Sequence, residues 1–138
     1  MKPVLQALIL ADAVYQDVKT GKRIIAGTFD CLYATEFPSN YSHVTNAYVC
    51  LTEVRGTIPV KLYYVDLELN EVLMEVGPIE VSADDPLESV DFTIEVPPIP
   101  MPHEGVFGLE LHAAGMLLAS LRIQVARQAE KQEQEEQQ

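Results

Sequence analysis

The chain has no tryptophan, two cysteines, and nine lysines and arginines against 21 aspartates and glutamates. It also has no run of about 20 apolar residues, the length a membrane-spanning helix needs. Each shortage excludes something. Without tryptophan, the exposed aromatic platforms of a carbohydrate binder would have to come from tyrosines that sit mostly at strand positions, where core packing accounts for them. A net charge of −12 and a sequence pI of about 4.5 repel phosphate backbones and anionic lipid, so neither nucleic acid nor membrane insertion is expected. The only local group of cations, Lys19, Lys22 and Arg23, flanks a hairpin turn, a common place for solubilising charge.

Catalytic patterns are missing as well. Ser39, Ser42, Ser82, Ser89 and Ser120 lie in no Gly-x-Ser-x-Gly turn, and Ser42 and His43, adjacent on a strand, point to opposite sides. His43, His103 and His112 form no His-x-His or His-x-x-x-His pair, and Cys31 and Cys50 have no C-x-x-C spacing. Alternation turns the two thiols in different directions, so they are expected to stay free and reduced in a cytoplasmic protein. Lys2, the apolar stretch Val4 to Leu10 and Ala11-Asp12-Ala13 imitate a signal peptide. Gln6 interrupts that stretch, however, and it is read as a strand. No enzyme activity and no cofactor are expected.

What the chain does contain is β alternation. Val90, Phe92, Ile94 and Val96 share one face of a strand. Phe107, Leu109 and Leu111 share a face of a second, and Leu117, Ala119, Leu121, Ile123 and Val125 of a third. Further segments are expected at 6–15, 23–34, 43–54, 57–67 and 72–81, with turns at Lys19-Thr20-Gly21-Lys22, Phe37-Pro38-Ser39-Asn40, Arg55-Gly56 and Leu69-Asn70-Glu71. The run Pro97-Pro98-Ile99-Pro100-Met101-Pro102 cannot be a central strand and is expected to carry the chain from one sheet to another. These signals predict an all-β protein: a single antiparallel β-sandwich of about eight strands, Ig-like, jelly-roll or C2-like, with a closed barrel as the alternative. The sandwich domain spans 1–127. The acidic, glutamine-rich segment 128–138 lacks an apolar stripe and reads as a polar helix or a disordered tail.

Two stretches resemble a known family. One is Ala11-Asp12-Ala13-Val14 with Asp17, Thr20-Gly21-Lys22, Ile25-Ala26-Gly27-Thr28-Phe29-Asp30 and Phe37-Pro38. The other is Pro100, Gly105-Val106-Phe107, Leu109-Glu110-Leu111 and Leu121-Arg122-Ile123-Gln124-Val125. Together they resemble the two ends of a bacterial family of small all-β proteins classed as a domain of unknown function. The resemblance implies the sandwich and a bacterial origin and brings no site residues with it.

Two site readings remain. Asp84, Asp85, Glu88 and Asp91 crowd carboxylates beside Ser82, and calcium takes six to eight oxygens from such loops. This is the alternative of a calcium-binding, membrane-docking sandwich, with further ligands from Asp12, Asp17, Asp30 or Asp66. The loop lacks a D-x-D-x-D-G frame, and solubility explains acidic loops in a chain of this charge. Tyr48, Tyr63 and Leu118, expected on outer faces, would instead mark a protein contact surface. The reading favoured by the missing motifs is a non-catalytic interaction or structural module. Its partner is another protein or its own copy, met through an outer face or an edge strand, and homo-oligomerisation is expected from its frequency among soluble proteins. An enzyme with an unrecognised site is the third reading.

Overall fold

A computed structural model describes residues 2–128. These form eleven strands and no helix: β1 (Val4–Gln16), β2 (Arg23–Thr28), β3 (Cys31–Ala34), β4 (Ser39–Tyr41), β5 (Thr45–Thr52), β6 (Gly56–Asp66), β7 (Glu71–Ala83), β8 (Val90–Val96), β9 (Ile99–Met101), β10 (Gly105–Ala113) and β11 (Met116–Arg127). They are arranged in a sheet of order β2-β1-β5-β8, a sheet of order β3-β11-β10-β6-β7, and the short pair β4-β9. The expected segment 128–138 lies outside the described residues beyond Gln128.

Alternation builds one core from both large sheets. Strand β5 buries every second residue, and Ala47, Val49 and Leu51 meet Leu8 and Leu10 of β1 and Ile94 and Val96 of β8. From the other sheet come Val60, Leu62 and Tyr64 of β6, Phe107, Leu109 and Leu111 of β10, and Ile123 and Val125 of β11. Tyr64 and Phe107 stack at 5.4 Å with planes 6° apart. Burial pushes the Tyr64 hydroxyl well above the ordinary phenol range, with the charge of Asp66 adding to it, and the hydroxyl has no protein partner among the described residues. An unpaired buried hydroxyl costs stability, so Tyr64→Phe is expected to raise stability by about 1 kcal/mol, read as a higher urea midpoint with an unchanged slope.

The count of eight strands is corrected to eleven for three local reasons. The segment 23–34 is two strands: β2 pairs antiparallel with β1, whereas β3 runs parallel to β11 in the other sheet. The break falls at Phe29–Asp30, just past Gly27, whose φ of 74° is open to glycine and where a Cβ would come within 2.5 Å of an Asp12 carboxylate oxygen. Strand β4 begins within the expected turn at Phe37–Asn40, and the proline run contains β9, which pairs with β4. The run does carry the chain from the β8 sheet to the β10 sheet.

Strand β11 differs from its expected alternation at one point. Leu111 faces Ala119 but His112 faces Leu117, which leaves Leu118 as the extra residue of a bulge. Leu118 therefore packs against the core, and Leu117 is 47% exposed. Cys31 and Cys50 are free and lie in different sheets. Among the described residues no helix is long and apolar enough to cross a membrane.

Candidate functional site

The chain crosses between the two large sheets at Thr28–Cys31, tied to each by one backbone bond. Phe29 N–H donates to Leu10 O at 3.3 Å, and Gln124 N–H donates to Asp30 O at 2.9 Å. Both neighbouring strands lose a partner at this crossing. Along β1, residues 4–11 pair with β5, with a register shift between Leu5 and Ala7, but only residues 11–16 pair with β2, so Val4–Leu10 has no strand partner on the β2 side, where Phe29 meets it at the Leu10 carbonyl. Along β11, only residues 124–127 pair with β3, so Met116–Ile123 is likewise open on that side. Between the two free edges lies a groove of about 320 Å³, lined by Leu8, Ile9, Phe29, Asp30, Leu121 and Arg122.

The composition of these edges sets β1 apart. Exposed strand edges invite pairing with other chains and are usually guarded by charge, proline, bulges or shortness. Edge strand β7 carries Glu71, Glu75, Glu80 and Pro78, edge strand β8 carries Asp91 and Glu95, and β3 is four residues long. The free stretch of β1, Val-Leu-Gln-Ala-Leu-Ile-Leu, has no charge and no proline, and its one irregularity is the register shift between Leu5 and Ala7.

The carboxylates proposed as a calcium set are not brought together. Asp85 and Glu88 close their own turn: Asp85 Oδ1 accepts Leu87 N–H at 3.0 Å, and Glu88 Oε1 accepts Asp85 N–H at 3.1 Å. Asp84 is exposed in the same loop. Asp91 lies on β8, where its Oδ2 accepts from Arg23 Nε and from the Tyr48 hydroxyl, each at 3.0 Å. Among the described residues no group of three or more His, Cys, Asp or Glu side chains is placed to hold a metal ion.

The contact residues Tyr48, Tyr63 and Leu118 do not form one surface. Tyr48 belongs to the β2-β1-β5-β8 sheet, and its phenol is pushed up to about 12 by partial burial and then by the hydrogen bond and charge of Asp91. Tyr63 belongs to the other sheet, edge-on to His112 with centroids 4.7 Å apart. Leu118 is turned inward by the bulge.

A pair that sequence reasoning missed joins Asp66 and His103. The Asp66 carboxylate is fully buried, accepts the N–H groups of Glu68 at 3.0 Å and Leu69 at 3.1 Å, and lies 2.6 Å from His103 Nε2. His103 Nδ1 is 2.5 Å from the carbonyl oxygen of Glu104. A carbonyl only accepts, so Nδ1 carries a proton, and Nε2 facing a carboxylate carries the other. When protonated the ring donates from both nitrogens, and its partners favour that form. It clips the β9–β10 connection onto the β6–β7 turn.

A family model for DUF6941, a family of unknown function, matches residues 6–126. The chain belongs to this family. The match opens within β1 and closes within β11, so the DUF6941 domain contains the crossing, the groove and nearly all of both half-free strands. No curated protein matches the chain in sequence. Residues 128–138 fall outside the DUF6941 match.

Proposed function

We propose that this DUF6941 chain is a non-catalytic β-sandwich module that assembles by strand addition, its first partner being β1 of a second copy. The carrying observation is the uncharged stretch Val4–Leu10, which has no strand partner on one side, whereas edge strands β7 and β8 carry acidic residues and the open stretch of β11 carries Arg122 and a bulge at Leu118. Strand addition needs only unpaired backbone groups, consistent with a chain that offers no chemical motif. A second β1 fits the notch in the antiparallel sense. With the two-fold axis at Ala7, Val4 faces Leu10 of the copy, and the copy's β2 lies in line with β1 instead of against it. The pairing continues the β2-β1-β5-β8 sheet across the axis and lets the added strand cover the groove beside β11.

The axis makes Ala7 its own neighbour, and like charges directly opposite each other destabilise a strand pair. Light scattering coupled to size exclusion is expected to show a dimer of the native chain and monomers of Ala7→Lys and Ala7→Glu. An equimolar mixture of the two variants should restore the dimer. Because two acidic copies repel, dimerisation should strengthen with salt. A native monomer, or a dimer that survives Ala7→Lys, contradicts the proposal; a native monomer would leave a different polypeptide as the partner of this edge.

A further inference from the structure

A second cleft, of about 530 Å³, also borders the Thr28–Cys31 crossing and shares Thr28 and Phe29 with the first groove. Its wall includes three π systems in succession. Phe29 and Tyr41 have centroids 5.8 Å apart with planes tilted by 48°, and Tyr41 and His43 are 5.9 Å apart with a tilt of 32°. Tyr33 adds a fourth ring to the lining. The successive tilts make a curved wall, formed by the crossing and by the chain around β4, so it is not a continuation of either large sheet.

Asp12 completes the cleft. Its carboxylate lies over Gly27 in the space a Cβ would take, and it has no ion-pair or side-chain hydrogen-bond partner among the described residues. Arg23 is engaged with Asp91, and Arg127 with the Thr35 carbonyl and the Phe37 ring. The Tyr41 hydroxyl is shifted above its ordinary range by burial and then by the charge of Asp12, which places the carboxylate's field on the aromatic wall.

We infer that this cleft binds a methylated ammonium group. Faces of aromatic rings carry negative potential and attract cations. A primary ammonium or a guanidinium needs several oxygen acceptors when it leaves water, and the cleft offers one carboxylate and a few hydroxyls. A methylated ammonium has few or no N–H groups to satisfy, and its methyl groups make contact with rings. The single negative charge of Asp12 balances it, and the −12 field of the chain raises the local concentration of any cation. Because the cleft is open, its affinity is expected in the millimolar range. The cleft shares Thr28 and Phe29 with the groove beside the β1 edge but contains none of Val4–Leu10.

The test uses the full chain, with choline chloride as the probe and 3,3-dimethylbutan-1-ol as its uncharged isostere. Backbone amide shifts of residues 27–31 and 41–43 are followed at low salt and a fixed pH of about 8. Choline is expected to give saturable shifts confined to these segments, and the isostere none. Asp12→Asn should weaken choline binding by roughly fivefold, and Tyr41→Leu by roughly threefold or more, both with amide spectra that otherwise match the native fold. The inference is overturned if choline gives no saturable shift by about 50 mM, a concentration well above a millimolar Kd. It is also overturned if the neutral isostere binds as well as choline, or if Asp12→Asn leaves the affinity unchanged.

Discussion

Replacing Asp66 with alanine is expected to destabilise the fold by about 3 kcal/mol, the low end of the range for removing one partner of a buried ion pair, because His103 is 33% exposed. The carboxylate is fully buried at the end of β6, and the substitution would leave the Glu68 and Leu69 amides and the His103 Nε2–H without their acceptor. The pair also sets how stability depends on pH. Burial alone would raise the Asp66 carboxyl, but the His103 hydrogen bond, the two amides and the imidazolium charge together hold it below the ordinary range. The His103 ring is held above its ordinary range, first by the Glu104 carbonyl and then by Asp66, against the effect of burial.

The signs follow from linkage. A depressed carboxyl contributes stability above its unfolded value of about 3.9, which is lost as pH falls through the lower folded value. A raised imidazole contributes stability fully below about 6.5, which is lost as pH rises through the higher folded value. The clip is therefore strongest between roughly pH 4 and 6.5. Urea midpoints of the native chain should fall on both sides of that window, and Asp66→Asn should flatten both flanks. A native profile that keeps rising through pH 8 would show that His103 folds as a neutral ring.

The second large effect is expected at Gly77, in the kink of β7. Its φ of 104° is a conformation that side chains rarely adopt, and a Cβ would lie 2.8 Å from the Val60 carbonyl oxygen, a rigid backbone atom. Gly77→Ala thus combines backbone strain of about 1–3 kcal/mol with overpacking of similar size, and a loss of roughly 3–5 kcal/mol is expected. Gly56→Ala separates the two terms. Its φ is 68°, but nothing lies within 4 Å of the added Cβ, so only the conformational cost of about 1–2 kcal/mol applies. Thermal and urea melts of the two variants decide this, and equal losses would remove the Val60 contact from the account. The kink also has a role in assembly: between Val60 and Leu62 the β6–β7 register shifts opposite Gly77-Pro78, and a bent edge with glutamates on either side resists pairing with other chains.

What could be read in the sequence was local. The alternation of Phe107, Leu109 and Leu111 marked a buried face that the structure retains, as did Ile94 and Val96. The turn near Gly21, with its φ of 73°, and the proline run between sheets also lie where local chemistry put them. The features that define the candidate sites depend on residues far apart in sequence. The break in 23–34 comes where the chain leaves β1 to pair in parallel with β11. The Leu118 bulge reflects the register between β10 and β11, which period-2 reading assumes to be unbroken. Asp66 and His103 are 37 positions apart, and neither lies in a recognisable motif. The free edge of β1 exists because β2 ends at Thr28, early enough to leave half of its neighbour uncovered, although the absence of charge from Val4 to Leu10 was visible from the start.

Amide hydrogen exchange along β1 tests the central claim most directly. In an antiparallel strand paired on one side only, alternate N–H groups point away from the partner and are open to water. If a second β1 covers that edge, the outward amides of Val4–Leu10 are protected at concentrations where the chain is dimeric. In Ala7→Lys they exchange freely, while the amides of β10, paired on both sides, stay protected in both proteins. Rapid exchange of those outward amides in the native chain at high concentration, or protection that Ala7→Lys leaves unchanged, would contradict assembly through the β1 edge.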